Sequence, residues 1–228
     1  MNDLRVAVTG GTSGLGLALV RELRRRGARV AFVARTREHV ERIAHGLPGT
    51  HGIVGDVARK DDIYPIALQV GAALGGLDVL VNNASSLGPT PLAPLADTEC
   101  EDFALALETN ILGPFRLTKA LLGALTASAR DGRGAVVLNV SSDAAINAYA
   151  QWGAYGASNA ALRHMSAIWA EELAAEGVRF LSLDPGDMDT PLHALAAPGA
   201  DPATLKRPET AAGELADAIS AALVKEHA

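Results

Sequence analysis

Six short runs rich in β-branched and small apolar residues lie at 4–9, 29–33, 51–55, 77–81, 134–140 and 178–183. They alternate with helical periodicity at 14–26, 37–45, 60–74, 99–127, 151–176 and 208–226. No other feature restricts the fold as much. Strands that each hand over to a helix form no hairpins, so they pair in parallel, and a parallel sheet needs helices over both of its faces. Right-handed crossovers then give one doubly wound α/β domain over 1–228, with strand order 3-2-1-4-5-6. Its ligand crevice should open at the carboxyl ends of the strands, where the first and fourth lie side by side. The chain is 49% hydrophobic but only 4% aromatic, which suits small side chains packed between helices and sheet. One long irregular stretch, 190–208, carries prolines at 191, 198, 202 and 208 and reads as a substrate lid.

A net charge of −6, with basic residues scattered apart from Arg24, Arg25 and Arg26, offers no stripe for nucleic acid. Cys100 is the single cysteine, which excludes an intrachain disulfide and a cysteine metal cluster and suits a reducing compartment. No run approaches the roughly eighteen unbroken apolar residues of a membrane span. The first strand meets glycines at once and leaves no room for a leader, so a soluble cytoplasmic protein without a membrane partner is expected. His39, His45, His51 and His227 show no ligand spacing, and no metal is expected.

The segment VTGGTSGLG, 8–16, closes the first strand and opens the first helix. Gly10, Gly14 and Gly16 allow a tight turn and close backbone approach. The amides at the helix start, among Thr12, Ser13 and Leu15, attract a pyrophosphate. At the end of the second strand an acidic residue would bind the ribose hydroxyls of NAD(H). Ala34 stands there instead, followed by Arg35 and Thr36, a guanidinium and a hydroxyl suited to a 2′-phosphate. NADP(H) is therefore favoured over NAD(H).

The spacing Thr9-Gly10, three residues, Gly14, one residue, Gly16 resembles the phosphate loop of the short-chain dehydrogenase/reductase family. Further matches follow in chain order: Asp56 with Val57 in VGDV, Asn83 and Ala84 in VNNAS, Asn110 in LETNILGPF, NVSS at 139–142, and Pro185, Gly186 and Thr190 in DPGDMDT. Ser85 replaces the family's glycine in the second of these. The resemblance implies a Rossmann fold that binds a nicotinamide dinucleotide at these residues and interconverts a small carbonyl compound and a secondary alcohol.

It also implies a catalytic set. Ser142 orients the substrate oxygen, Tyr155 thirteen residues on exchanges the proton, and Asn110 holds a relay water. The family's lysine, four residues past the tyrosine, is here Asn159. An asparagine amide can still bond ribose but supplies no charge, and lost acid–base assistance is typically of order 10²–10⁴ in rate. Arg163 and His164 lie too far along the helix to substitute, and Lys119 should face away. Two rival readings follow: a cofactor-binding protein without turnover, and a reaction such as dehydration or epimerisation without net hydride transfer. Trp152 is either a pocket wall or a buried aromatic, Asp143 either faces the pocket or accepts a local turn bond, and His193 reads as a surface residue of the lid. The helix carrying Tyr155 also holds Ile168, Trp169 and Leu173, which by the same resemblance face a second copy in a homodimer.

Overall fold

A computed structural model describes residues 1 and 3–224. Six parallel strands, β1 (Arg5–Thr9), β2 (Arg29–Ala34), β3 (Thr50–Val54), β4 (Val79–Asn82), β5 (Ala135–Val140) and β6 (Val178–Leu183), form one sheet in the order β3-β2-β1-β4-β5-β6. The helices are α1 (Gly14–Arg25), α2 (Arg37–Gly46), α3 (Lys60–Leu74), α4 (Cys100–Leu107), α5 (Gly113–Arg130), α6 (Gly153–Glu172), α7 (Pro191–Ala196) and α8 (Pro208–Leu223). The expected end of the last helix at 226, and His227, lie outside the described residues. Among the described residues no helix is long and apolar enough to cross a membrane.

Alternate strand residues point to opposite faces, and each face has its own core. Val6, Val8, Val30, Phe32, Val79, Val81, Val136 and Leu138 pack under α1 and α8. Ala7, Ala31, Val33, Leu80, Ala135 and Val137 pack under α3 and α5, against Leu74, Leu117, Leu121 and Leu125. Burying both faces is why these strands read as continuous apolar runs rather than alternating ones.

Two expectations need correction. The helix read over 99–127 is two helices joined by a π turn at Glu108–Leu112. Pro114 explains part of this: it has no N–H to offer the carbonyl four residues back, which is that of Asn110, so a regular ladder cannot pass through this point. The stretch 190–208 is not wholly irregular, since it contains α7 and a 3-10 turn at Pro202–Thr204 and is tied down by a bridge between Met188 and Lys206. On α6, Trp169 stacks on Phe180 with centroids 5.8 Å apart, Leu173 is buried and Ile168 is half exposed.

At the amino ends of the strands, far from the crevice, the carboxylate of Asp78 is completely buried. Arg5 reaches its Oδ1 at 2.5 Å, Arg133 reaches Oδ2 at 3.0 Å, the Ser128 hydroxyl lies 2.6 Å from Oδ1, and the Arg5 amide donates to Oδ2 at 2.8 Å. Burial by itself pushes this carboxyl up. The hydrogen bonds from Arg5, Arg133 and Ser128 outweigh it and hold the group well below the usual carboxylate range. A depressed folded-state value means stability that is present above the unfolded carboxylate pKa and lost as pH falls below it. Asp78→Asn should therefore lower unfolding free energy by about 3 kcal/mol at neutral pH, near the lower end for a broken buried pair because both arginines can turn toward water. In urea denaturation that deficit should hold through neutral pH and shrink below about pH 4. A deficit independent of pH would refute the ionic role.

Candidate active site

The crevice opens where β1 and β4 end. Thr9, the last residue of β1, accepts the amides of Asn83 and Ala84 on its hydroxyl at 2.9 and 3.0 Å, while the Asn83 side-chain amide donates to the Thr9 carbonyl at 2.9 Å. This clamp explains two of the glycines. Gly10 turns with φ of +69°, and a Cβ there would stand 2.9 Å from the Asn83 amide. A Cβ on Gly16 would collide with the Gly10 carbonyl oxygen.

A cleft of about 390 Å³ runs over this turn. Gly10, Thr12, Ser13, Gly14, Leu15 and Gly16 line it, with Arg35, Thr36, Asp56, Val57, Asn83, Ala84, Tyr155 and Thr190. All of these were expected from sequence. Ser13 begins α1 in an extended conformation and makes no side-chain cap, which leaves the first-turn amides to the cleft. Asp56 accepts the Ala58 amide on Oδ1 at 3.0 Å. Arg35 is exposed and has no ion-pair partner among the described residues, and Thr36 starts α2 without spending its hydroxyl on the helix. His39, Thr109 and Ser141 also line the cleft and were missed. These donors and the space kept free of Cβ atoms fit a dinucleotide with its pyrophosphate on the α1 amides.

A second cavity, about 360 Å³, adjoins the first. Ser142, Tyr155 and Gly186 line it, as do Asp143, Trp152 and His193. Ser142 accepts the Ala144 amide at 3.2 Å and donates to Asp143 Oδ1 at 3.2 Å. Asp143 also accepts the Tyr149 hydroxyl at 2.6 Å, so it both faces the pocket and serves as a local acceptor. Tyr149, Trp152 and Tyr155 form an edge-to-face series with centroids 6.4 and 5.7 Å apart. Gln151, at φ of 73°, makes the left-handed turn that brings Trp152 back to this wall. His193 is not a surface histidine: its side chain is 16% exposed, it lines the cavity, and its Nδ1 is buried without a partner. Tyr149 was not foreseen, because nothing in its surroundings marks a loop tyrosine as a wall.

Tyr155 lines both cavities, as does Ser141. Burial pushes the Tyr155 phenol above its ordinary value. The hydroxyls of Ser142 and Ser85 work against this, and the carboxylates of Asp184 and Asp143 add to it. Neutral phenol, the proton-donating form, therefore dominates at physiological pH.

Asn110, Asn159 and Pro185 line neither cavity. The Asn159 side chain is buried and turns back along its own helix, donating to the Tyr155 carbonyl at 3.0 Å. Asn110, within the π turn, accepts the Ser86 amide at 2.8 Å and the Ser85 hydroxyl at 3.2 Å, and donates to the Ser86 carbonyl and the Ser158 hydroxyl, both at 2.8 Å. Its side chain has four partners and acts as a tie between the β4 loop and α6.

The short chain dehydrogenase family matches residues 5–200. L-fucose dehydrogenase of Mus musculus is 33% identical over 225 residues, which cover 96% of this chain and 80% of that protein. A short-chain dehydrogenase of Burkholderia cenocepacia, solved in complex with NADP, superposes with a TM-score of 0.84 at 25% identity, over 96% of this chain and 91% of the other. A 3-ketoacyl-(acyl-carrier-protein) reductase of Brucella melitensis, solved with NADH, shares the fold at a TM-score of 0.90 and 23% identity, covering 98% and 94% of the two chains. A nicotinamide dinucleotide thus has both a fitting cleft here and precedent in the similar Burkholderia cenocepacia structure. Joined to that cleft, a family match running from the first strand into the segment beyond the sixth settles where the protein stands: it belongs to the short-chain dehydrogenase/reductase family of oxidoreductases.

Proposed function

We propose that the protein is an NADP(H)-dependent oxidoreductase that interconverts a small carbonyl compound and a secondary alcohol, and that Asn159 slows it. The observation that carries this reading is the position of Tyr155, a partly buried phenol shared by the two cavities. A group on that boundary can touch a substrate oxygen while the substrate carbon faces the cofactor. The bound nicotinamide supplies or accepts the hydride. Ser142 hydrogen-bonds the substrate oxygen and polarises it, and Tyr155 gives that oxygen its proton in reduction and takes it back in oxidation. Asn110 positions α6 and the β4 loop around them. Thr190 and Leu192, which line both cavities, close over the junction, so 190–208 acts as the lid. Half-exposed Leu105 and Ile168 support a homodimer through α4 and α6, and a reducing cytoplasmic setting accords with the free thiol of Cys100.

The second reading, a cofactor-binding protein without turnover, is favoured by one observation: Asn159 spends its amide on the Tyr155 carbonyl and brings no cation to the phenol.

Cofactor choice rests on Arg35 and on Ala34 in place of an acid. NADPH should bind at least about tenfold more tightly than NADH, and Arg35→Ala should remove most of that preference. Fluorescence titration with both cofactors checks this, and equal affinities in the unaltered protein would reject it.

Catalysis rests on Tyr155. Asn159→Lys should raise carbonyl reduction by about 10²-fold, and Tyr155→Phe in that background should abolish the gain. Because the phenol is raised in the unaltered protein, its alcohol oxidation should demand more alkaline conditions than that of the lysine variant. A lysine variant that binds NADPH normally yet turns over no carbonyl faster would hand the case to the non-catalytic reading.

A further inference from the structure

The substrate cavity is electrically one-sided. Asp143, Asp184 and Asp187 line it, and among the described residues no lysine or arginine does. The basic side chain among those described there, His193, has Nε2 3.8 Å from Asp187 Oδ1. The nearby Lys206 is engaged elsewhere, 2.8 Å from Glu214. Asp184 spends Oδ1 on the Gly186 amide at 2.8 Å, and the Asp187 carboxylate accepts no hydrogen bond from the described residues, so both side chains keep acceptor capacity for a ligand. The aromatic series Tyr149, Trp152 and Tyr155 lines the same cavity, with the Tyr149 hydroxyl 2.6 Å from Asp143. Ser141, at 7% exposure, lines the same cavity, and its hydroxyl has no protein partner. Ser141 lines the dinucleotide cleft as well, so its unbonded hydroxyl is left for a ligand at the junction of the two cavities.

The three carboxylates on this open cavity, Asp187 being 81% exposed, repel one another and any anionic ligand. A cation relieves that repulsion, and aromatic faces add attraction for it. We propose that the substrate carries an ammonium group close to its reacting carbon: an amino ketone, or the amino alcohol it interconverts with. The ammonium lies among Asp143, Asp184 and Asp187, and the oxygen meets Ser142 and Tyr155. This rests on the oxidoreductase reading above and names the substrate class of the same site. In reduction the carbonyl carbon gains a hydride from the reduced nicotinamide, the C=O π pair moves to oxygen, and that oxygen takes the Tyr155 proton. The ketone is reduced, the nicotinamide is oxidised, and a phenolate is left on Tyr155. Burial, Asp184 and Asp143 all oppose that phenolate. A substrate ammonium in the same cavity stabilises it, so the charge that position 159 lacks arrives with the substrate. Hydroxyl-rich substrates can also donate to carboxylates, but they bring no charge.

The test compares aminoacetone, hydroxyacetone and butanone, which differ only in an ammonium, a hydroxyl or a methyl. With NADPH at neutral pH, kcat/KM should be at least about tenfold higher for aminoacetone than for either analogue, and the joint change Asp184→Asn and Asp187→Asn should cut that advantage below about threefold. Calorimetric titration of the NADP-saturated protein with isopropanolamine, propylene glycol and butan-2-ol reads the same preference without turnover. An equal or weaker response to the amine in both assays overturns the proposal, and turnover of the neutral ketones would then leave the oxidoreductase reading standing. Preference for the hydroxyl compounds overturns it in favour of a polyol substrate. Tighter binding of the amine, lost in the double variant, supports the proposal even where no ketone is turned over, and in that case it is the oxidoreductase reading that fails.

Discussion

Between β1 and β4 the direction of winding reverses, and the two halves of the sheet are joined only by the ladder Val6–Val79, Ala7–Leu80 and Val8–Val81. A ladder this short would leave both of its ends free to splay. Each end is instead fastened by side chains from outside it. At the amino end Asp78, just before β4, holds Arg5 of β1. At the carboxyl end Thr9 and Asn83 exchange bonds across the gap. The first fastening draws its strength from a buried charge with several donors, the second from neutral hydrogen bonds shielded by the sheet. The active-site crevice is the opening that remains beyond the second, so its width is set by Thr9 and Asn83 rather than by the loops that decorate it.

Much of this was legible in the sequence. The strand order followed from alternation and handedness, and the expected phosphate loop, Arg35, Asp56, Asn83 and Thr190 came together in one cleft because fixed strand ends leave them few alternatives. The less legible residues are those whose roles depend on side-chain direction. Asn159 shares a helix face with Tyr155 in projection, yet it is short enough to bond its own backbone, which a spacing argument does not foresee. His193 sits in a segment dense in proline, and only the short helix α7 turns it inward. Asn110, expected to hold a relay water, sits in a π turn where Ser85, Ser86 and Ser158 take up its side-chain bonds. Its signal was present in Gly113-Pro114, a pair that no uninterrupted helix accommodates without loss.

The site divides its chemistry between neutral and charged groups. The dinucleotide cleft offers backbone amides, a carboxylate already partly capped by Ala58, and one exposed guanidinium. In the adjoining cavity, Asp143 and Asp184 discourage the ionisation of the Tyr155 phenol. Position 159 contributes a helix-internal bond and no charge beside Tyr155.

The π turn at Glu108–Leu112 also has a geometric consequence for the helix beyond it. One surplus residue in a helical turn advances the following segment by about 100° of azimuth, since a regular helix spends 3.6 residues on each revolution. α4 and α5 are therefore out of phase with each other, which lets one lie beside α6 while the other lays Leu117, Leu121 and Leu125 on the sheet. The turn works as a vernier between two packing surfaces. Shortening the chain there by a single residue would rotate the whole apolar stripe of α5 off the sheet, so this span tolerates exchange of side chains far better than any change in its length.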